Sequence, residues 1–129
     1  MTIVVGYVPR REGLAALDAA LAEAERARER LVVVNAVMAG ERRDLADPRD
    51  VASLCRRLAE IGVPYELVQP SRGRSAAEEL LAAVAEHRAR LVVVGLRASQ
   101  PLGSHPRSTV RQVLTEVGCD VLAVRPAVS

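Results

Sequence analysis

Four short runs of aliphatic residues stand out from an otherwise mixed chain: Thr2 to Val5, Leu31 to Val34, Leu91 to Val94 and Val121 to Val124. They carry no charge and almost no polar alternation. That is the pattern of parallel strands covered on both faces, where neither side of the pleat meets water. A fifth segment, Tyr65 to Gln69, alternates more and reads as an edge strand.

Between these runs the apolar spacing changes to the helical period. Leu14, Leu17, Leu21 and Ala24 fall on one face in the first interval, and Val51, Leu54, Cys55 and Leu58 in the second. Ala77, Leu80, Leu81 and Val84 follow in the third, and Val110, Val113, Leu114 and Val117 in the fourth. The boundaries agree with this reading. Asp47 before Pro48 suits an N-cap with proline at the first helical position, and Ser75 with Glu78 forms a capping box. Gly62 and Gly118 stand where helix C-caps belong.

Strand and helix thus alternate through the whole chain. The expected fold is a single α/β domain over residues 1–129, a doubly wound five-stranded parallel sheet with helices on both faces. Right-handed crossovers leave few topologies, and strand order 3-2-1-4-5 is the one expected. Ligands of such sheets bind beyond the carboxyl ends of the strands where the winding reverses, here between strands 1 and 4. The segments to watch are Gly6 to Gly13 and the longer Gly95 to Thr109.

Composition narrows what this crevice does. The 129 residues are 50% hydrophobic and 26% charged, ordinary for a globular domain. Two Tyr are the only aromatics, so base-stacking platforms for nucleic acid are missing, and the formal charge of +2 is spread as Arg among acids. There is no Lys, which removes Schiff-base chemistry and the phosphate-loop lysine. Cys55 and Cys119 lack metal or redox spacing and are expected to be small, reduced core residues. No run approaches the ~20 apolar residues of a membrane span, so a cytoplasmic protein with neither membrane nor nucleic-acid partners is expected. Asp44, Asp47 and Asp50 straddle a proline helix start, where acids are common without a metal. His87 near the end of the third helix suits the helix dipole, and His105 has no nucleophile or carboxylate at a defined spacing.

From Leu91 the chain reads LVVVGLRASQPLGSHPRSTVRQVLTEVGCDVLAVRP, and it opens with IVVGYVP from Ile3. Both stretches resemble the universal stress protein family, and the likeness runs along nearly the whole chain. The family pattern after strand 4 is a glycine, a second glycine three positions on, and, after nine residues, a third followed by Ser or Thr. The resemblance implies a pocket for ATP or AMP, with magnesium, in which loop amides and a helix N-terminus surround the phosphates. Glycine allows the backbone to approach an anion, and helix starts offer N–H groups with partial positive charge.

Gly95 fills the first glycine position, whereas Ala98 and Ser108 replace the other two and Thr109 keeps the hydroxyl. A residue with a Cβ costs about 1–2 kcal/mol wherever a left-handed backbone is required. Gly103, Arg97 and the hydroxyls of Ser108 and Thr109 remain as phosphate partners. At the end of strand 1 the family's usual Asp, which meets the adenosine, is Val8, followed by Pro9 and Arg10. Asn35 and Ala36 align with the segment whose backbone meets the adenine edge.

Two functions follow. One is a non-enzymatic protein with a degenerate nucleotide pocket, acting through a homodimer formed by the last strand and through an unidentified protein partner. The other is a working ATP/AMP site on the loop from Gly95 to Thr109. A pyrophosphate-loop synthetase, a receiver domain and a flavin site each need residues after strand 1 that VPRREG lacks.

Overall fold

The computed structural model describes residues 1–8, 10–35, 48–68, 75–96 and 109–126. The element order is β1 (Thr2–Tyr7), α1 (Arg11–Ala27), β2 (Arg30–Asn35), α2 (Pro48–Glu60), β3 (Tyr65–Val68), α3 (Ala76–His87), β4 (Leu91–Gly95), α4 (Thr109–Glu116) and β5 (Asp120–Val124). All four strand pairs are parallel, and the sheet runs β3-β2-β1-β4-β5. The fold class and strand order expected from the aliphatic runs are those observed. Gln69 and Asp47, expected to end a strand and to cap a helix, lie outside the described residues.

Alternate residues of the strands feed two cores. Ile3, Val5, Leu31, Val33, Leu91 and Val93 pack beneath Leu17 and Leu21 of α1 and Leu54 and Leu58 of α2. Val4, Val32, Val34, Val92 and Val94 pack beneath Leu80 and Val84 of α3 and Val110 and Val113 of α4. Fully burying one such side chain stabilises the fold by about 1.5–3 kcal/mol, and this doubly covered sheet is where most of the favourable free energy arises.

The helical faces differ from the periodic expectation in one respect. Leu14 and Leu114 are 43% and 42% exposed. On α1 the buried stripe consists of Gly13, Ala16, Leu17, Ala20, Leu21 and Ala24. Small residues let the helix lie close to the sheet, so the contact line falls beside Leu14 rather than on it. Cys55 and Cys119, expected in the core, are half-buried, and burial pushes the Cys119 thiol above its ordinary range, with Asp120 adding to the shift.

Caps show the same mixture. Ser75 Oγ accepts the Glu78 N–H at 3.2 Å, as the capping box requires, and Gly62 has φ of +67° after α2. Gly118 is not left-handed; among the described residues that geometry belongs to Gly62, Arg28 and Arg88. Arg28 and Arg88 close α1 and α3 with φ of 56° and 50°. Each begins the same local sequence, Arg-x-Arg-Leu-Val-Val-Val, which turns a helix into a central strand.

These twin turns meet across the amino end of β1. The Arg30 and Arg90 N–H groups donate to the Met1 and Thr2 carbonyls at 3.2 and 2.9 Å. The Arg90 guanidinium spans Glu29 at 2.6 and 2.9 Å and Glu23 at 2.8 Å, and Arg26 meets Glu23 at 2.5 Å. The network ties the end of α1 to the start of β4. Arg26 first and Arg90 second hold the Glu23 carboxyl down at about 2, against its ordinary 4.5.

A depressed carboxylate contributes stability that is present above 4.5 and lost as pH falls through about 2. Glu23→Gln should therefore flatten the decline of melting temperature across that window, measured by calorimetry at stepped pH. Arg88→Gly should raise stability by up to about 1 kcal/mol in urea titrations, because glycine removes the left-handed penalty.

Candidate functional site

The reversal of winding between β1 and β4 places two strand ends side by side, Val8 just after Tyr7 and Gly95 closing β4. The first turn of α1 comes down on both. Arg10 N–H donates to the Val8 carbonyl at 2.8 Å, and the first intrahelical bond follows at once, Leu14 N–H to the Arg10 carbonyl at 2.9 Å. Arg10 is an extended N-cap whose side chain makes no capping hydrogen bond.

The helix can start so abruptly because two positions lack a side chain. A Cβ on Gly13 would lie 2.7 Å from the Val8 nitrogen and 2.8 Å from its carbonyl carbon, with the Val8 oxygen closer still. A Cβ on Gly95 would lie 2.6 Å from the Glu12 carbonyl carbon and 3.1 Å from its Cβ, with the Glu12 oxygen nearest. Neither spacing is tolerable for a real Cβ. Gly6 is less constrained, since the nearest atoms are the flexible Leu80 methyls at 3.2 and 3.3 Å.

This arrangement assigns Gly95 a role that the phosphate-loop reading did not include. The space a Cβ would take there is filled by the backbone of Glu12. Val8, half-buried beside it, offers no side-chain hydrogen bond. On its Cβ side Gly95 is therefore packed against helix backbone, and Val8 brings no polar side chain to the end of β1. Thr109 opens α4. Ala36, Arg97, Ala98, Gly103 and Ser108, with Pro9 and His105, lie outside the described residues. Asn35 ends β2, buried and in register with Tyr7.

Among the described residues there is no group of His, Cys, Asp or Glu able to hold a metal ion, and no helix is long and apolar enough to cross a membrane. His87, assigned from sequence to the helix dipole, also has a specific partner, the Glu66 carboxylate on β3 at 3.0 Å, with Arg30 at 3.8 Å from the same oxygen. A groove of about 460 Å3 lies between the ends of α3 and α4, lined by Leu81, Val84, Arg88, Glu116 and Cys119 among others. It opens at the amino end of the sheet, away from the switch point.

Sequence reasoning treated Gly13 only as the limit of a loop. The signal was present, since a glycine in the first turn of a helix has poor propensity and usually marks a close approach.

The fold defines a doubly wound α/β domain with a crevice at its switch point, and known proteins narrow that class. No protein-family model matches the chain. A universal stress protein of Mycolicibacterium smegmatis is 38% identical over 127 residues, spanning 96% of this chain and 97% of the relative. The chain belongs to the universal stress protein family. A solved member of that family from Burkholderia pseudomallei superposes with a TM-score of 0.67 at 27% identity, covering 98% of this chain and 96% of the other. The fold is shared by a universal stress protein in complex with cAMP (TM-score 0.70, 21% identity, 98% of each chain). It is also shared by an Arabidopsis thaliana family protein with AMP bound (TM-score 0.67, 15% identity, 98% of this chain and 92% of that one).

The glycine contacts give a test with an inverted sign. Gly→Ala near the start of a helix ordinarily stabilises, by up to about 1 kcal/mol. Gly13→Ala and Gly95→Ala should instead each destabilise the ligand-free protein by about 1–3 kcal/mol in urea unfolding, as overpacked sites do. Gly118→Ala, with open space around the added methyl, should remain within about 0.5 kcal/mol of the parent.

Proposed function

We propose that this protein is a non-enzymatic, cytoplasmic stress-response protein that works as a homodimer through β5 and through contacts with a protein partner, around an adenine-nucleotide pocket of reduced affinity. One observation carries the reading of the pocket: at the end of β1, beside Gly95, stands Val8, whose side chain offers adenosine no hydrogen bond. The replacement of two loop glycines by Ala98 and Ser108 points the same way. The absence of Lys, which removes Schiff-base chemistry and the phosphate-loop lysine, supports the non-enzymatic reading.

The dimer reading is supported by β5 itself. It is a sheet edge of five residues carrying Leu122 at 41% exposure, and an uncovered aliphatic edge favours pairing.

A second reading keeps a working site for AMP or ATP with magnesium. It is favoured by the similar structures that hold cAMP and AMP. Gly95, Arg97, Gly103, Ser108 and Thr109 would then meet the phosphates, and the backbone of Asn35 and Ala36 the adenine.

Calorimetric titration of the ligand-free protein with AMP and with ATP plus magnesium separates the two. The expected outcome is binding no tighter than about 1 mM. Saturable micromolar binding that weakens at least tenfold in Thr109→Ala overturns the reduced-affinity pocket and establishes a nucleotide-binding protein.

A further inference from the structure

The carboxyl ends of α3 and α4 come together at the amino end of the sheet, and the groove of about 460 Å3 between them has the size of a small-molecule pocket. Leu81, Val84 and Ala85 of α3 form one wall, and Val117 and Cys119, just beyond α4, form the other. Leu81, Val117 and Cys119 are only partly buried, so apolar surface remains open to solvent. Gly118 adds no side chain to the entrance, where a Cβ would meet nothing within 4 Å.

The two helices end differently. A helix gathers partial negative charge at its carboxyl end, where a cation is stabilising and an acid is not. α3 follows this rule with His87 in its last turn and Arg88 at its C-cap. α4 has no basic residue in its last turn and closes on Glu116, with Asp120 following directly after the groove residue Cys119. Both carboxylates are exposed, and among the described residues neither has a side-chain partner. Negative charge therefore collects along the α4 side of an apolar groove, and that side lacks the cation its helix would favour. The field reaches the groove wall, since burial first and Asp120 second raise the Cys119 thiol above its ordinary range. Arg88, on the α3 side, offsets the end of its own helix.

We propose that this groove binds an amphipathic organic cation, its ammonium group beside Glu116 at the end of α4 and its hydrocarbon body against Leu81, Val84 and Val117. An ammonium there supplies the missing charge, and the aliphatic walls take the part of the ligand that water disfavours. A neutral alcohol of the same length gains only the second of these. A carboxylate would find Arg88 on one side, but two acids and the carbonyl end of α4 on the other. The site shares no residue with the crevice at the switch point and goes beyond the nucleotide and dimer readings above.

The test titrates the full chain, labelled with 15N, at pH 7 with n-octylamine, n-octanol and sodium octanoate, and follows amide chemical shifts. At that pH the amine is protonated and the acid ionised. Octylammonium should bind saturably, about threefold or more tighter than octanol and about tenfold tighter than octanoate, with the largest shifts in residues 81–89 and 116–119. Shortening the chain to hexylammonium should weaken binding by up to about fourfold for each buried methylene removed. Glu116→Lys should reverse the preference, so that octanoate binds more tightly than octylammonium, with the amide spectrum outside the groove unchanged. Octanol binding as tightly as octylammonium overturns the proposal, as does tighter binding of octanoate by the parent chain. Shifts centred on the switch point, or no saturation by about 10 mM, also overturn it. A preference for the cation that survives in a folded Glu116→Lys protein refutes the placing of the ammonium group.

Discussion

The backbone of α1 rests on the ends of β1 and β4 with no side chain between them, and the rest of the molecule is arranged around that contact. The Glu12 carbonyl occupies the space over Gly95, and the Val8 peptide fills the space beside Gly13. Because the helix is pinned at its first turn, its alanine-rich face lies flat along the sheet. Leu17 and Leu21 then reach the core that Leu54 and Leu58 of α2 complete. At its far end, Glu23 and Glu29 meet Arg90, so both ends of α1 are fastened to β4. The helix that follows the first strand thereby braces the fourth, which is what a parallel sheet needs where its winding reverses.

Most of this architecture was legible in the chain. Runs such as Leu91 to Val94 have too little polarity to lie on a surface, so doubly covered parallel strands followed directly, and with them the strand order. What the pattern misjudged was which residues touch. Counting Leu14 as core followed from apolar spacing alone, which weighs side chains by hydrophobicity and ignores how near a helix comes. The stripe of Gly13, Ala16 and Ala20 wins because close approach buries backbone and methyl surface that a larger residue would hold apart. Helix ends were misjudged for a similar reason. Glycine is favoured in left-handed caps, yet Arg28 and Arg88 occupy them, held by the hydrogen bonds of the turn and by neighbouring strand starts. Local preference gave way to tertiary geometry.

The candidate site was legible by place more than by mechanism. The switch point between β1 and β4 lies where topology required, and Val8 and Gly95 flank it. A motif, however, cannot distinguish a glycine that admits a ligand from one that admits a neighbouring helix. Both impose the same residue at the same point, and the Glu12 backbone against Gly95 shows that the helix contact is made here. Membership of the universal stress protein family and the topology both direct attention to this switch point, where the chain departs from the family pattern at Val8, Ala98 and Ser108.

The Leu96–Val124 hydrogen bond joins two parts of the molecule that are usually considered apart. Leu96 is the last residue before the stretch that leads to Thr109, and its amide is anchored on the outermost strand. The departure of the chain from β4 and the edge of the sheet are thus joined by one hydrogen bond. Genetic dissection of the protein has to respect this. Alleles meant to alter the outer edge alone must change side chains on its exposed face and leave the path of the chain through Val124 untouched. An insertion at that point would disturb the edge and the start of the loop after β4 together.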